Sequence, residues 1–218
     1  LALAIFDLDH TLLSADSDHA FGQYLVDRGL VDPEVHKYRN DVFYEQYKAG
    51  TLNIHEYLDF ALKPLTTYPL EQMLAERDTF LEQRIKPLIP RKARDILQKH
   101  RDQGDTILII TATNGFVTYP IAEELGVEHI IAPHPEMKDG QYTGAIEGIP
   151  SFQEGKVTRL IEWLEQHAMS MKDAWFYSDS RNDLPLLRLV SNPVAVDPDP
   201  TLSAEAERLG WPIISLRD

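Results

Sequence analysis

The sequence predicts an α/β fold: a doubly wound, mainly parallel sheet with a helical cap inserted after the first strand. Three observations carry this. Six short apolar runs rich in Ile, Leu and Val lack polar alternation, as strands covered on both faces do. Helical patterns lie between most of them, which is the rhythm of strand–helix–strand units. Residues 15–84 break that rhythm, with helical signals and no strand signal.

Taken in order, Leu1–Leu8 is the first strand. Four helices follow, over Asp18–Asp27, Pro33–Ala49, Asn53–Leu62 and Pro69–Ile85. Gly29 and Gly50 stop the first two, Pro64 stops the third, and Pro33 and Pro69 suit first-turn positions. They form the expected cap, residues 15–84, on a core made of residues 1–14 and 85–218. In the core, Pro90–Gln103 is helical up to Gly104, Thr106–Thr113 is the second strand, and Phe116–Leu125 is helical up to Gly126. His129–Ala132 is a strand, and Asp139-Gly140 marks a hairpin turn between alternating residues. Phe152–His167 places Leu160, Ile161, Trp163 and Leu164 on or near one helical face. Ala174–Ser178, Pro193–Val196 and Pro212–Leu216 complete the strands, with Asp197–Pro200 a loop.

Composition narrows the function. The chain has 218 residues and a net charge of −14, with a pI near 4.9. An acidic surface repels nucleic acid, so no DNA or RNA partner is expected. No apolar stretch is long enough to span a bilayer, so no membrane partner is expected. The N-terminal residues run straight into a strand pattern rather than a leader. Cysteine is absent, which removes disulfides, thiolate metal sites and a cysteine nucleophile, and fits a cytoplasmic location. The eight histidines show no paired zinc-ligand spacing.

The chemistry lies at strand ends. In open α/β sheets ligands bind beyond the carboxyl ends of the strands. The first strand ends in D-L-D-H-T, giving Asp7, Asp9 and Thr11; the second ends in T-A-T-N-G, giving Thr111 and Asn114. Ala174–Ser178 runs into Asp179, Asn182 and Asp183. Carboxylates brought this close repel one another, and a hard divalent cation relieves them. Mg²⁺ is the expected cofactor, with Asp7, Asp9, Asp179 and Asp183 as candidate ligands. One oxygen of Asp7 could attack phosphorus, while Asp9, on the same face two residues on, exchanges protons with the leaving group and water. Thr111 and Asn114 are candidate donors to the phosphoryl oxygens, and Asn182 a candidate substrate contact. Lys156 at a helix start is the candidate cation. Asp183 either holds Lys156 or binds a metal water. His10 is expected to fill space, and Phe43, Tyr44, Tyr47 and Tyr57 to form cap core, with one of them lining a pocket. The substrate class is a small phosphorylated metabolite.

The order Asp7-x-Asp9-x-Thr11, Thr111, Lys156, Asp179-x-x-x-Asp183 resembles the haloacid dehalogenase-like phosphohydrolases, in particular their phosphoserine-phosphatase-like branch. The resemblance spans almost the whole chain, including G-T-L-N at Gly50–Asn53 in the helical segment and K-D-G-Q-Y-T-G-A-I-E-G before Lys156. It implies a Rossmann-like core, Asp7 as nucleophile, Asp9 as acid and base, and Mg²⁺ held by Asp7, Asp179 and the backbone carbonyl of Asp9. Asp16 stands where that branch carries an acidic residue for a substrate amine. Ala61 stands where it carries an arginine for a substrate carboxylate, with Lys63 nearby, and Ser178 replaces the usual glycine. An amine-bearing phosphate without a carboxylate, such as histidinol phosphate, therefore fits better than phosphoserine. Phosphoserine hydrolysis, phosphotransfer to an acceptor other than water, and a catalytically idle binding module are the alternatives.

Overall fold

The computed structural model describes residues 2–218; Leu1, part of the expected first strand, lies outside them. β1 (Leu3–Phe6) is central in a six-stranded sheet. β2 (Thr106–Ile110) and β6 (Trp175–Ser178) flank it, followed by β3 (His129–Ile131) on one side and β7 (Asn192–Val196) and β8 (Ile213–Ile214) on the other. The order is β3-β2-β1-β6-β7-β8, and every pairing in this sheet is parallel. A separate antiparallel hairpin, β4 (His134–Lys138) and β5 (Gln141–Glu147), turns at the expected Asp139-Gly140.

Alternation along the strands explains their unbroken apolarity. Ala4 and Phe6 of β1, with Ile107 and Ile109 of β2, face one hydrophobic core. Leu3 and Ile5, with Leu108 and Ile110, face the other. Helix α7 (Glu154–Gln166), the short α8 (Leu184–Leu187) and α9 (Pro200–Leu209) cover the second core through Leu160, Leu164, Leu187 and Leu202. The first core is covered by α5 (Arg91–Asp102) and α6 (Gly115–Glu124) through Leu97, Phe116 and Ile121.

Four helices lie between β1 and β2: α1 (Ser17–Asp27), α2 (Pro33–Ala49), α3 (Ile54–Thr67) and α4 (Leu70–Phe80). Their ends follow capping chemistry. Asp16, Asp32 and Asn53 accept first-turn amides of α1, α2 and α3. Gly50 ends α2 at φ 73°, a left-handed conformation that favours glycine. Pro64 does not end α3 as expected. The helix runs three residues further, because Leu62 and Leu65 are buried on either side of the proline, and their burial outweighs the lost backbone bond. The last cap helix runs on to Ile85 as expected, α4 passing directly into a widened helical turn at Leu81–Ile85.

Hydrophobic contact also crosses the expected 15–84 boundary. Phe21, Tyr24, Met73 and Phe80 share one core with Phe6 and Phe116. Phe43 and Leu52 form a separate small cluster with Phe152 of the core segment. Thus α1 and α4 are anchored in the main body, while α2 and the start of α3 overhang the strand ends.

Candidate active site

Register brings the strand-end residues together. Phe6 pairs with Ile109 and with Tyr177, so the next residues, Asp7, Ile110–Thr111 and Ser178–Asp179, emerge at one sheet edge. Asp7 is tied there by its N–H, which donates to the Tyr177 carbonyl at 2.9 Å. The chain then makes a wide turn closed by the Leu13 N–H on the Leu8 carbonyl at 3.0 Å. Asp9 is extended within this turn and His10 is left-handed at φ 56°. The kink leaves both Asp7 and Asp9 beside one cavity of about 30 Å³.

Lys156 reaches the same point from the first turn of α7. Its Nζ lies 2.8 Å from Asp7 Oδ1 and 2.8 Å from Asp183 Oδ1. Gly155 makes this approach possible: a Cβ there would sit 2.1 Å from the Pro150 carbonyl oxygen. Burial alone would lower the pKa of the ammonium, but the Asp183 and Asp7 carboxylates more than offset this and hold it above the lysine range. Burial raises the Asp7 pKa, and Lys156 pulls part of that rise back. Burial, then repulsion from Asp7 and Asp183, holds Asp179 well above the carboxylate range. Burial, followed by repulsion from Asp16, pushes Asp9 up to about 6, although its oxygens accept the Ser17 N–H at 2.6 Å and the Thr113 hydroxyl at 2.7 Å.

Several expected roles change. Asp183 is engaged by Lys156, the first of its two expected partners, and by the Ser178 hydroxyl at 2.6 Å. The Asp9 carboxylate is likewise directed to Ser17 and Thr113, so any share it has in holding a metal falls to its backbone. Asn114 caps α6, accepting the Phe116 N–H at 3.1 Å, and does not line the cavity. Asn182 donates to the Tyr47 carbonyl at 2.9 Å and accepts from Gln153 at 3.0 Å, which ties α2 to the core. Thr111 does line the cavity, as does Asp16, although Asp16 Oδ1 also accepts the Asp18 and His19 amides as the α1 cap. Lys63 lies in a different groove, with Leu30 and Arg39. His10 hydrogen-bonds the Tyr44 hydroxyl at 3.1 Å, linking the catalytic turn to α2.

Asp7 and Asp179 remain as facing carboxyls. The Thr11 hydroxyl lies 3.4 Å and 3.2 Å from an oxygen of each. Among the described residues no three His, Asp or Glu side chains form a ready metal cage. Two buried, mutually repelling hard-oxygen donors nevertheless suit Mg²⁺, which is usually held by one or two carboxylates, water and substrate phosphate.

Thr113 is a site residue that the sequence pattern did not single out. T-A-T-N-G carried the signal, since Thr111 and Thr113 lie two residues apart after a strand. Phe43, Tyr44, Tyr47 and Tyr57 all line the cavity, rather than one of them.

A family model described as haloacid dehalogenase-like hydrolase matches residues 4–188. The chain belongs to the haloacid dehalogenase-like hydrolase family. It is 44% identical to a histidinol-phosphatase of Neisseria meningitidis serogroup C (strain 8013), over 99% of each chain. A crystal structure of a Bordetella pertussis Tohama I protein of unknown function superposes with a TM-score of 0.93 at 42% identity, covering 99% of this chain and 98% of that one. A substrate-bound phosphoserine phosphatase shares the fold, with a TM-score of 0.74 at 19% identity over 100% and 94% of the chains. The chain thus shares its Rossmann-like sheet with that phosphatase. Among the described residues no helix is long and apolar enough to cross a membrane.

Proposed function

We propose that this hydrolase is a Mg²⁺-dependent phosphatase that cleaves a small amine-bearing phosphate monoester, histidinol phosphate being the best fit, through a phosphorylated Asp7. The observation that carries the reaction is the buried Asp7 carboxylate, held by Lys156 at 2.8 Å beside a raised-pKa Asp9. An oxygen of Asp7 attacks phosphorus as the ester P–O bond breaks. The leaving oxygen takes its electron pair and a proton from Asp9. Asp9, now a carboxylate, takes a proton from water as that water's oxygen attacks phosphorus and the bond to Asp7 breaks. Lys156 and Thr111 oppose the charge on the phosphoryl oxygens. Bound Mg²⁺ at Asp7 and Asp179 would supply positive charge that offsets their repulsion and draws electrons from the phosphate. Residues 15–84 serve as the cap, with α2 and α3 forming the cavity's outer wall.

The cavity supports the substrate. Phe43, Tyr44, Tyr47 and Tyr57 offer flat faces to an imidazole or an alkylammonium. Asp16 supplies negative charge, and no Lys or Arg is among the cavity's lining residues, which favours an ammonium over a carboxylate there. The test compares kcat/KM for histidinol phosphate, O-phosphoserine and p-nitrophenyl phosphate with Mg²⁺. Histidinol phosphate should exceed phosphoserine by about a hundredfold or more. Equal rates for the two, both lost in Asp7→Asn, would remove the substrate and keep the reaction.

Metal binding has its own readout. Saturating Mg²⁺ should raise the melting temperature of EDTA-treated protein by roughly 5–10 °C, as expected for ligand near a hundredfold above Kd. Asp179→Asn should lose most of that shift, and a shift of wild-type size would contradict its place as a ligand.

A further inference from the structure

The family model ends at residue 188, yet the C-terminal segment touches the catalytic turn. Arg217 crosses from beyond β8 and places its guanidinium on the two carbonyls at the kink. One nitrogen donates to the His10 carbonyl, and another to the Thr11 carbonyl at 3.3 Å. The Asp197 carboxylate lies 3.7 Å away on the same guanidinium.

The segment that carries Arg217 is itself tied on three sides. Leu216 is buried in the first core and its N–H donates to Asp197 Oδ2 at 3.0 Å. The Asp218 carboxylate accepts the Arg91 and Lys92 amides at the start of α5, at 2.8 Å and 3.2 Å. Lys92 Nζ donates to the Arg217 carbonyl. The guanidinium is therefore a fixed fork rather than a mobile surface charge.

What the fork holds is a left-handed turn. His10 is a non-glycine residue at φ 56°, ψ 2°, a left-handed conformation that persists only where the surroundings fix it. The peptide planes on either side of Thr11 aim its hydroxyl, which accepts the Asp179 N–H at 3.1 Å and lies beside Asp7 and Asp179.

We infer that Arg217 is a positioning residue for catalysis: by clamping the His10 and Thr11 carbonyls it holds the Asp7–Thr11 turn in the shape that aligns Asp7, Asp9 and Asp179. It acts through the turn and does not touch the reacting atoms. The inference rests on the phosphatase reading above, and the control that tests that reading is Asp7→Asn.

The experiment measures kcat and KM on p-nitrophenyl phosphate, with melting temperatures, for wild type and for Arg217→Ala, Arg217→Lys and Arg217→Gln. Arg217→Ala should lower kcat by about tenfold to a hundredfold, the penalty for a displaced catalytic group, with KM within about twofold of wild type. Arg217→Lys, which reaches one carbonyl, should fall between. Added methylguanidine should restore several-fold activity to Arg217→Ala and none to Asp7→Asn. Should Arg217→Ala fail to fold, the Lys and Gln variants carry the test by their kcat at wild-type KM. A folded Arg217 variant with wild-type kcat would overturn the proposal, as would a loss that methylguanidine leaves untouched. Equal activity of wild type and Asp7→Asn would instead overturn the reaction itself.

Discussion

Asp7→Asn should abolish turnover of every phosphate monoester, by on the order of 10⁴-fold or more, while leaving the protein folded. The two effects separate because the substitution changes chemistry more than shape. The asparagine carbonyl oxygen can still accept from Lys156, as Asp7 Oδ1 does at 2.8 Å. The amide cannot attack phosphorus to give a hydrolysable acyl phosphate. Burial already disfavours charge at this position, and an amide removes one of the carboxylates crowding Asp179. The melting temperature without metal should therefore stay level or rise. The check pairs steady-state rates with thermal melts. A rate within tenfold of wild type would mean that water attacks phosphorus directly and that Asp7 is only a ligand.

Fold and site were legible in the sequence to different depths. The sheet was readable because it is buried on both faces. Residues such as Ile5 and Phe6 must then both be apolar, and the strand becomes an unbroken run of Leu, Ile and Val that a half-exposed strand would not show. The strand-end aspartates were readable for the opposite reason: four acids breaking apolar runs at strand ends are costly unless they do something. Pro64 misled because its local preference was set against the burial of Leu62 and Leu65, which only tertiary structure reveals. The same holds for the limits of the cap. Periodicity shows four helices but not that Phe21 and Phe80 turn toward Phe116.

Side-chain direction was the least legible property. Asn114 and Asn182 have the chemistry of phosphate donors and stand in the right loops. Which partners an asparagine takes depends on geometry within a few ångströms: Asn114 caps its own helix, and Asn182 bonds the Tyr47 carbonyl and the Gln153 side chain. Asp183 shows the same ambiguity, since a carboxylate near a lysine and near a cation site has two possible partners. Arg217 was invisible for another reason. It lies more than two hundred positions from His10, and a lone arginine in S-L-R-D carries no pattern.

Lys156→Met should lose both activity and stability, and a second substitution should return only the stability. Lys156 is 2% exposed, and its ammonium is the cation between Asp7 and Asp183. Methionine fills similar volume but leaves the two carboxylates facing each other in a buried site. Breaking a buried ion pair in this way costs about 3–5 kcal/mol, moderated here because the already raised pKa values let one carboxyl take up a proton. In EDTA the melting temperature should fall by roughly 10 °C. Adding Asp183→Asn removes one stranded charge and keeps a hydrogen-bonding group for the Ser178 hydroxyl. The double variant should regain most of the lost melting temperature and remain inactive, because Thr111 and a bound cation do not replace the ammonium against the charge on the phosphoryl oxygens. A double variant as unstable as Lys156→Met would place the lysine's contribution in the ammonium's contact with the Phe176 ring rather than in its pairing with Asp183. Recovery of activity along with stability would mean that Lys156 serves the fold alone, and that the positive charge needed at Asp7 comes entirely from elsewhere.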